Sequence, residues 1–134
     1  MKVFLDANIL FSAAHTTSRM GLFVEQLIRV AECVTSTYAM DEAYCNLAKA
    51  FPGRVGSLEK LCEQIMRCDE RSPATGITLR PKDLPILEGA IAAGASHLLT
   101  GDFRDFGPLL GTTIQGVAIV TASMLATEIA DMPD

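Results

Sequence analysis

Apolar residues recur along the chain in two alternating rhythms. Short solid runs, Val3-Phe4-Leu5, His97-Leu98-Leu99-Thr100 and Val117-Ala118-Ile119-Val120, have the form of strands buried on both faces. Between them lie stripes spaced by three and four residues, the mark of helices with one buried face. Ile9, Leu10, Phe11, Ala13 and Ala14 predict a short helix after the first strand. Met20, Phe23, Val24, Leu27, Ile28 and Ala31, set against Arg19, Glu25, Gln26 and Arg29, predict a second helix. It runs from Ser18, its N-cap, to Glu32. Cys33-Val34-Thr35-Ser36 predicts a short strand, and a helix through Tyr38, Glu42, Leu47 and Ala50 closes at Pro52-Gly53. Leu58, Leu61, Cys62, Ile65 and Met66 predict a further helix, with Glu59, Lys60, Glu63 and Arg67 outside. Ile77-Thr78-Leu79 predicts a strand, and the RPKDLP segment introduces a helix from Ile86 to Ala93 that Gly94 stops. A last short helix follows Val120 and fades at Met132-Pro133.

Strand alternating with helix implies an α/β fold, a three-layer α/β/α sandwich whose mainly parallel central sheet has about 4–5 strands. Right-handed crossovers then bring the C-terminal ends of the strands to one edge, where such folds place their sites. With 134 residues the chain can bury one proper core, whereas two separate ones would both be marginal, so a single domain over residues 1–134 is expected. The hydrophobic fraction of 49% excludes a disordered chain. No apolar run approaches the roughly 20 residues that span a bilayer. The opening MKVFLDANIL lacks the features of a signal peptide, so a cytoplasmic protein without a membrane partner is expected. Cys33, Cys45, Cys62 and Cys68 form no CxxC pair and no zinc-type spacing, and read as buried small hydrophobes. His15 and His97 are isolated and carry no catalytic role; His97 sits at a strand entrance.

The topology gathers acids. Asp6 ends the first strand and Asp102 follows the HLLT strand. Asp83 precedes the helix that begins near Pro85, Glu42 lies six residues beyond Ser36, and Asp105 follows Asp102 by three. Singly, most have an ordinary explanation: Asp83 as an N-cap, Asp105 as a turn residue, Glu42 as a solvated helix position like its neighbour Asp41. Asp6 resists this, because a carboxylate directly after a buried strand is costly without a partner. Together the five read as an acidic metal pocket.

The segments FLDANIL, STYAMDE, KDLPILEGAIAAGASHLLTGD and DFRDF carry a resemblance that runs from Lys2 to the closing VAIVTASML. The chain resembles a PIN domain, the metal-dependent ribonuclease fold that includes the VapC-type toxins of toxin–antitoxin systems. The resemblance implies Asp6, Glu42, Asp83 and Asp102 as the family's acidic residues and Asp105 as a frequent fifth. It implies that Asn8 supports the site and that the Thr100 hydroxyl faces the metal or the phosphate. Ala7 stands where the family commonly has a threonine. It also implies an RNA substrate, a small antitoxin partner and a homodimer, for which the apolar stripes of the central helices could serve.

The chemistry agrees. Two carboxylates 4 Å apart at an effective dielectric near 20 repel by about 4 kcal/mol, so such a cluster takes up protons or binds a cation. Oxygen ligands without His or Cys suit a hard ion, Mg²⁺ or Mn²⁺. The expected reaction is hydrolysis of an RNA phosphodiester by metal-activated water, with Asp6, Asp102, Glu42 and Asp83 holding metal and Asp105 holding a second ion or positioning water. Lys49 and Asn46 share a helix face with Glu42, Lys82 abuts Asp83, and Arg104 lies between Asp102 and Asp105; these are candidate phosphate contacts. The alternative is a catalytically silent PIN-like module that binds RNA or protein. A phosphotransfer protein of the haloacid-dehalogenase kind would need a second Asp where this chain has Asn8, and a receiver domain would need a strand-end Lys.

Net charge refines this picture. The chain carries 16 Asp+Glu against 11 Lys+Arg, a balance of -5 that speaks against a polyanion partner. Setting the five pocket acids aside leaves acids and bases equal. The excess is then local, and a cation that neutralises it would draw phosphate to the site. Without a broad basic field, RNA affinity in the absence of metal should be modest.

Overall fold

The computed structural model describes residues 1–132. Strands β1 (Lys2–Leu5), β2 (Glu32–Thr35), β3 (Met66–Arg67), β4 (His97–Leu99), β5 (Thr113–Ile114) and β6 (Val117–Val120) form one sheet in the order β3-β2-β1-β4-β6-β5. Every pairing is parallel except the β5–β6 hairpin. Helices α1 (Ala7–Ala13), α2 (Arg19–Val30), α3 (Thr37–Ala50), α4 (Val55–Cys62), α5 (Leu84–Ala92) and α6 (Ala122–Ala130) complete the three α/β/α layers. Among the described residues no helix is long and apolar enough to cross a membrane.

The expected strands at the centre are the most deeply buried. Val3, Phe4, Leu5, Leu98, Leu99 and Ile119 are inaccessible to solvent, which is why these segments carry no polar alternation. The helices begin where side chains can cap them. Ser18 Oγ accepts from Gly21 N–H at 3.0 Å and Ser36 Oγ from Ala39 N–H at 3.2 Å. Thr121 Oγ1 does the same for Met124 N–H at 3.2 Å. Gly94, with φ +67°, ends the turn after α5, as its position in the sequence implies.

From β1 the chain builds outward through β2 to β3, then crosses back to place β4 on the other side of β1. The direction of winding therefore reverses between β1 and β4. In open α/β sheets that reversal opens a crevice beyond the strands' carboxyl ends.

Several expectations are corrected. The helix expected to carry Ile65 and Met66 ends at Cys62, and Met66 pairs with Val34 in β3. A two-residue edge strand is too short to interrupt a helical apolar rhythm, so the sequence could not reveal it. Ile77-Thr78-Leu79 forms no strand, because β3 and β5 already occupy the two edges of the sheet; Ile77 and Leu79 only pack against the core. The sheet has six strands rather than 4–5, since β3 and the β5 hairpin had no apolar run to announce them. Gln115 and Gly116 turn that hairpin with φ of 48° and 88°. Ser36 and Thr100 lie just beyond β2 and β4 rather than inside them, and Glu32 opens β2 instead of closing α2. Cys45 is exposed on α3, whereas Cys33 is buried and Cys62 and Cys68 are half-buried. Helix α6 ends at Ala130; Pro133, where fading was expected, lies outside the described residues.

Strand β4 is sandwiched between β1 and β6 and Leu98 is fully buried. Leu98→Ala should therefore destabilise the chain by about 2–5 kcal/mol, read as a lowered urea midpoint with an unchanged m-value.

Candidate active site at the sheet edge

The winding reversal places the end of β1 beside the end of β4, and the two ends are stitched together by side chains. Asp6 is the N-cap of α1, and its Oδ1 accepts from Ala7 N–H at 2.6 Å. Its Oδ2 accepts from the Thr100 hydroxyl at 2.7 Å and, weakly, from Asn8 Nδ2 at 3.4 Å. Thr100 Oγ1 accepts in turn from Asp102 N–H at 3.0 Å, and Asn8 Oδ1 accepts from Gly101 N–H at 2.9 Å. The expected supporting residues thus do their work on Asp6 and on the backbone of the β4 turn. Thr100 is buried, and its hydroxyl is spent on the Asp6 carboxylate and the Asp102 N–H.

Burial pushes the Asp6 carboxyl up to about 6, against the hydrogen bonds from Thr100 and Ala7, and the charges of Glu42 and Asp102 add to the rise. Asp102 organises the turn that follows: its Oδ1 accepts from Arg104 N–H at 3.1 Å and Asp105 N–H at 2.9 Å.

Asp83 occupies the N-cap position of α5 without capping it. It is buried, and its Oδ2 makes no hydrogen bond. Burial, and next to that the neighbouring Asp105 carboxylate, hold Asp83 well above the usual carboxylate range. For Asp105 burial pushes upward too. Hydrogen bonding among the acids and the charges of Arg80 and Lys82 outweigh it and hold Asp105 below its ordinary value.

A cleft of about 500 Å³ opens over this edge, lined by Asp6, Asn8, Glu42, Asp83 and Asp102. Asn46, Lys49 and Lys82 line it as well, so the helix face inferred for Glu42, Asn46 and Lys49 faces the acids. Glu42 is half-buried while Asp41 is exposed and outside the lining, which favours Glu42 of the two. Carboxylate oxygens of Asp83, Asp102 and Asp105 come within 4.8 Å of one another. Asp6 and Glu42 share the cleft without joining that tight group. Arg104 is exposed and outside the lining; only its backbone N–H meets an acid.

Sequence reasoning missed Arg80. Its Nε lies 3.0 Å from Asp105 Oδ1 and 3.8 Å from Asp83 Oδ2. The Arg-x-x-Asp spacing in RPKD, three residues apart at the head of a helix, was the available signal. Phe11, Ser12 and Ala50, which also line the cleft, had none.

A divalent cation fits these residues. The donors are carboxylate oxygens alone, oxygens of Asp83 and Asp102 lie close enough to share one ion with Asp105 beside them, and a buried Asp83 oxygen makes no hydrogen bond.

No protein-family model matches the chain, and no curated protein matches its sequence. Solved structures do share its fold. A chain of VapBC2 from Rickettsia felis, bound to a DNA fragment from its promoter, superposes with a TM-score of 0.67 at 18% identity. The match covers 90% of this chain and 98% of that one. A chain of FitAB bound to the IR36 DNA fragment gives 0.58 at 17% identity, covering 90% and 94%. The fold is the PIN-type fold that the sequence resembles.

Asp6 binds its proton more tightly folded than unfolded, so between pH 4 and 6 the native state holds the extra proton. Stability from this residue is greatest at low pH and declines as pH rises through about 6. The full effect is on the order of 3 kcal/mol. Urea unfolding without divalent ions should give a wild-type stability that drops from pH 4.5 to 7.5 relative to Asp6→Asn. Parallel profiles for the two proteins would mean that Asp6 ionises without penalty.

Proposed function

We propose that this chain is a divalent-metal-dependent endoribonuclease, the toxin of a toxin–antitoxin pair. The observation that carries the reading is a group of carboxylates at the sheet's switch point in which a buried Asp83 oxygen makes no hydrogen bond. Asp6, Glu42, Asp83 and Asp102 are assigned to Mg²⁺ or Mn²⁺, with Asp105 beside them. The bound ion would supply an activated water and charge neutralisation at the phosphate.

The chain's own residues do the rest. Thr100 and Asn8 fix the Asp6 carboxylate so that one geometry is pre-formed. The protons that burial favours on Asp6 and Asp83 must leave before the acids can act as ligands, so activity rises with pH from about 5.5 to 7.5. Lys49 and Asn46 lie along the cleft from Glu42, where the backbone of a bound RNA would pass. Lys82 and Arg104 are assigned as further phosphate contacts. The two solved structures described above are two-component complexes by name, VapBC2 and FitAB. On that basis we assign to this chain a small antitoxin partner that covers the cleft; a homodimeric state is assigned from the resemblance of the sequence to VapC-type toxins, and a cytoplasmic setting from its composition.

Purified chain should cleave RNA with Mg²⁺ or Mn²⁺ and stop with a chelator. Asp6→Ala and Asp102→Asn should each lower the rate at least about a hundredfold. Retained RNA binding without cleavage of any RNA would favour the silent binding module instead. Lys49→Ala should weaken binding to uncleavable RNA at low salt and reduce the salt slope by about 1. Unchanged affinity would remove Lys49 from the contacts.

A further inference from the structure

The tight acid group is chemically asymmetric. Asp83 has a buried oxygen with no hydrogen bond, whereas both oxygens of Asp105 are already engaged. Arg80 Nε and Nη2 each lie 3.0 Å from one Asp105 oxygen, a forked guanidinium–carboxylate pair. Lys82 Nζ adds a third contact at 3.4 Å. The Asp105 side chain is 4% exposed, against 53% for Arg80 and 50% for Lys82.

A carboxylate so saturated has little to offer an ion, because ligation would require breaking the fork. The two cations, by contrast, have donors to spare. A guanidinium carries five N–H groups and an ammonium three, and Asp105 engages two and one of them. The segment holding them is fixed from both sides. Asp83 N–H and Leu84 N–H donate to Arg80 O at 2.9 and 3.2 Å, and Tyr38 Oη donates to Lys82 O at 2.7 Å. Arg80 Nε also lies 3.8 Å from Asp83 Oδ2, so the two cations offset the carboxylates around them and set positive charge at the rim of a cleft whose other ionisable walls are mostly acidic, where an approaching phosphodiester most needs it.

We propose that Asp105 is not a ligand of the ion but a positioning residue that aims Arg80 and Lys82 as a phosphate-binding pair for the RNA backbone. The inference rests on the nuclease reading and assigns Arg80 its role there.

Two measurements test it. Calorimetric titration with Mn²⁺ alone should show Asp105→Asn within about threefold of wild type and Asp83→Asn weaker by at least about tenfold. Anisotropy with an uncleavable RNA oligonucleotide in EDTA should show the Arg80→Ala/Lys82→Ala double variant binding about tenfold more weakly at low salt, with a salt slope smaller by about 2. Equal losses of Mn²⁺ affinity in Asp105→Asn and Asp83→Asn would make Asp105 a ligand and overturn the proposal. So would unchanged RNA affinity in the double variant, which also carries the test should Asp105→Asn fail to fold. A wild-type chain that binds neither Mn²⁺ nor RNA overturns the nuclease reading itself, whereas wild-type binding with the wrong pattern among variants removes only this inference.

Discussion

The edge of this molecule is organised around a carboxylate placed where water cannot serve it. Asp6 follows directly on three fully buried residues of β1 and is itself buried. A charge there is tolerable only with hydrogen-bond partners, and beside the adjacent Ala7 N–H the chain supplies the Thr100 hydroxyl, 94 residues away in sequence and adjacent in space. Thr100 has to sit one residue past β4, and β4 has to pair with β1 in the observed register, for the hydroxyl to arrive. Strand order, register and acid placement are thus one constraint seen at three scales.

The other acids depend on that arrangement with decreasing strictness. Asp102 is tied to Thr100 through its own N–H and then turns the following loop by accepting from the N–H groups of Arg104 and Asp105. Asp83 comes from the head of α5, freed from capping duty. Glu42 comes from a helix whose start is fixed by Ser36 and by Asp69, which accepts from both the N–H and the hydroxyl of Thr37. The outer acids are therefore placed by backbone elements, and only the inner ones by side chains bonded to each other. The acids also differ in their surroundings: burial dominates at Asp6 and Asp83, whereas fixed positive charge helps hold Asp105 down.

Much of this was legible in the sequence because burial leaves a signature. The fully buried strands β1, β4 and β6 read as solid apolar runs, and the helices α2 and α3 as stripes with caps. From their alternation the sheet and its acid-bearing edge follow, and Asp6, Glu42, Asp83 and Asp102 do line one cleft. The short edge strands β3 and β5 were not legible, since two residues show no period and three of their four residues are exposed. Ile77 and Leu79 imitate a strand because they pack on the core, and only knowledge of which edges are taken excludes it. The role of Arg80 was hidden for another reason. The Arg-x-x-Asp spacing points only to Asp83, three along a turn, while the closer partner, Asp105, is 25 residues away and leaves no local pattern.

The stitch between β1 and β4 also sets a timetable. A chain emerging from the ribosome presents Asp6, Glu42 and Asp83 long before Thr100 and Asp102 exist, and domains are completed only as their last strands arrive. Until then Asp6 lacks the hydroxyl that holds it, the crevice has one wall, and the acids are scattered over unpaired chain. The long sequence separation that makes the site hard to see in the primary structure also leaves this edge unformed until β4 and the turn beyond it have been added.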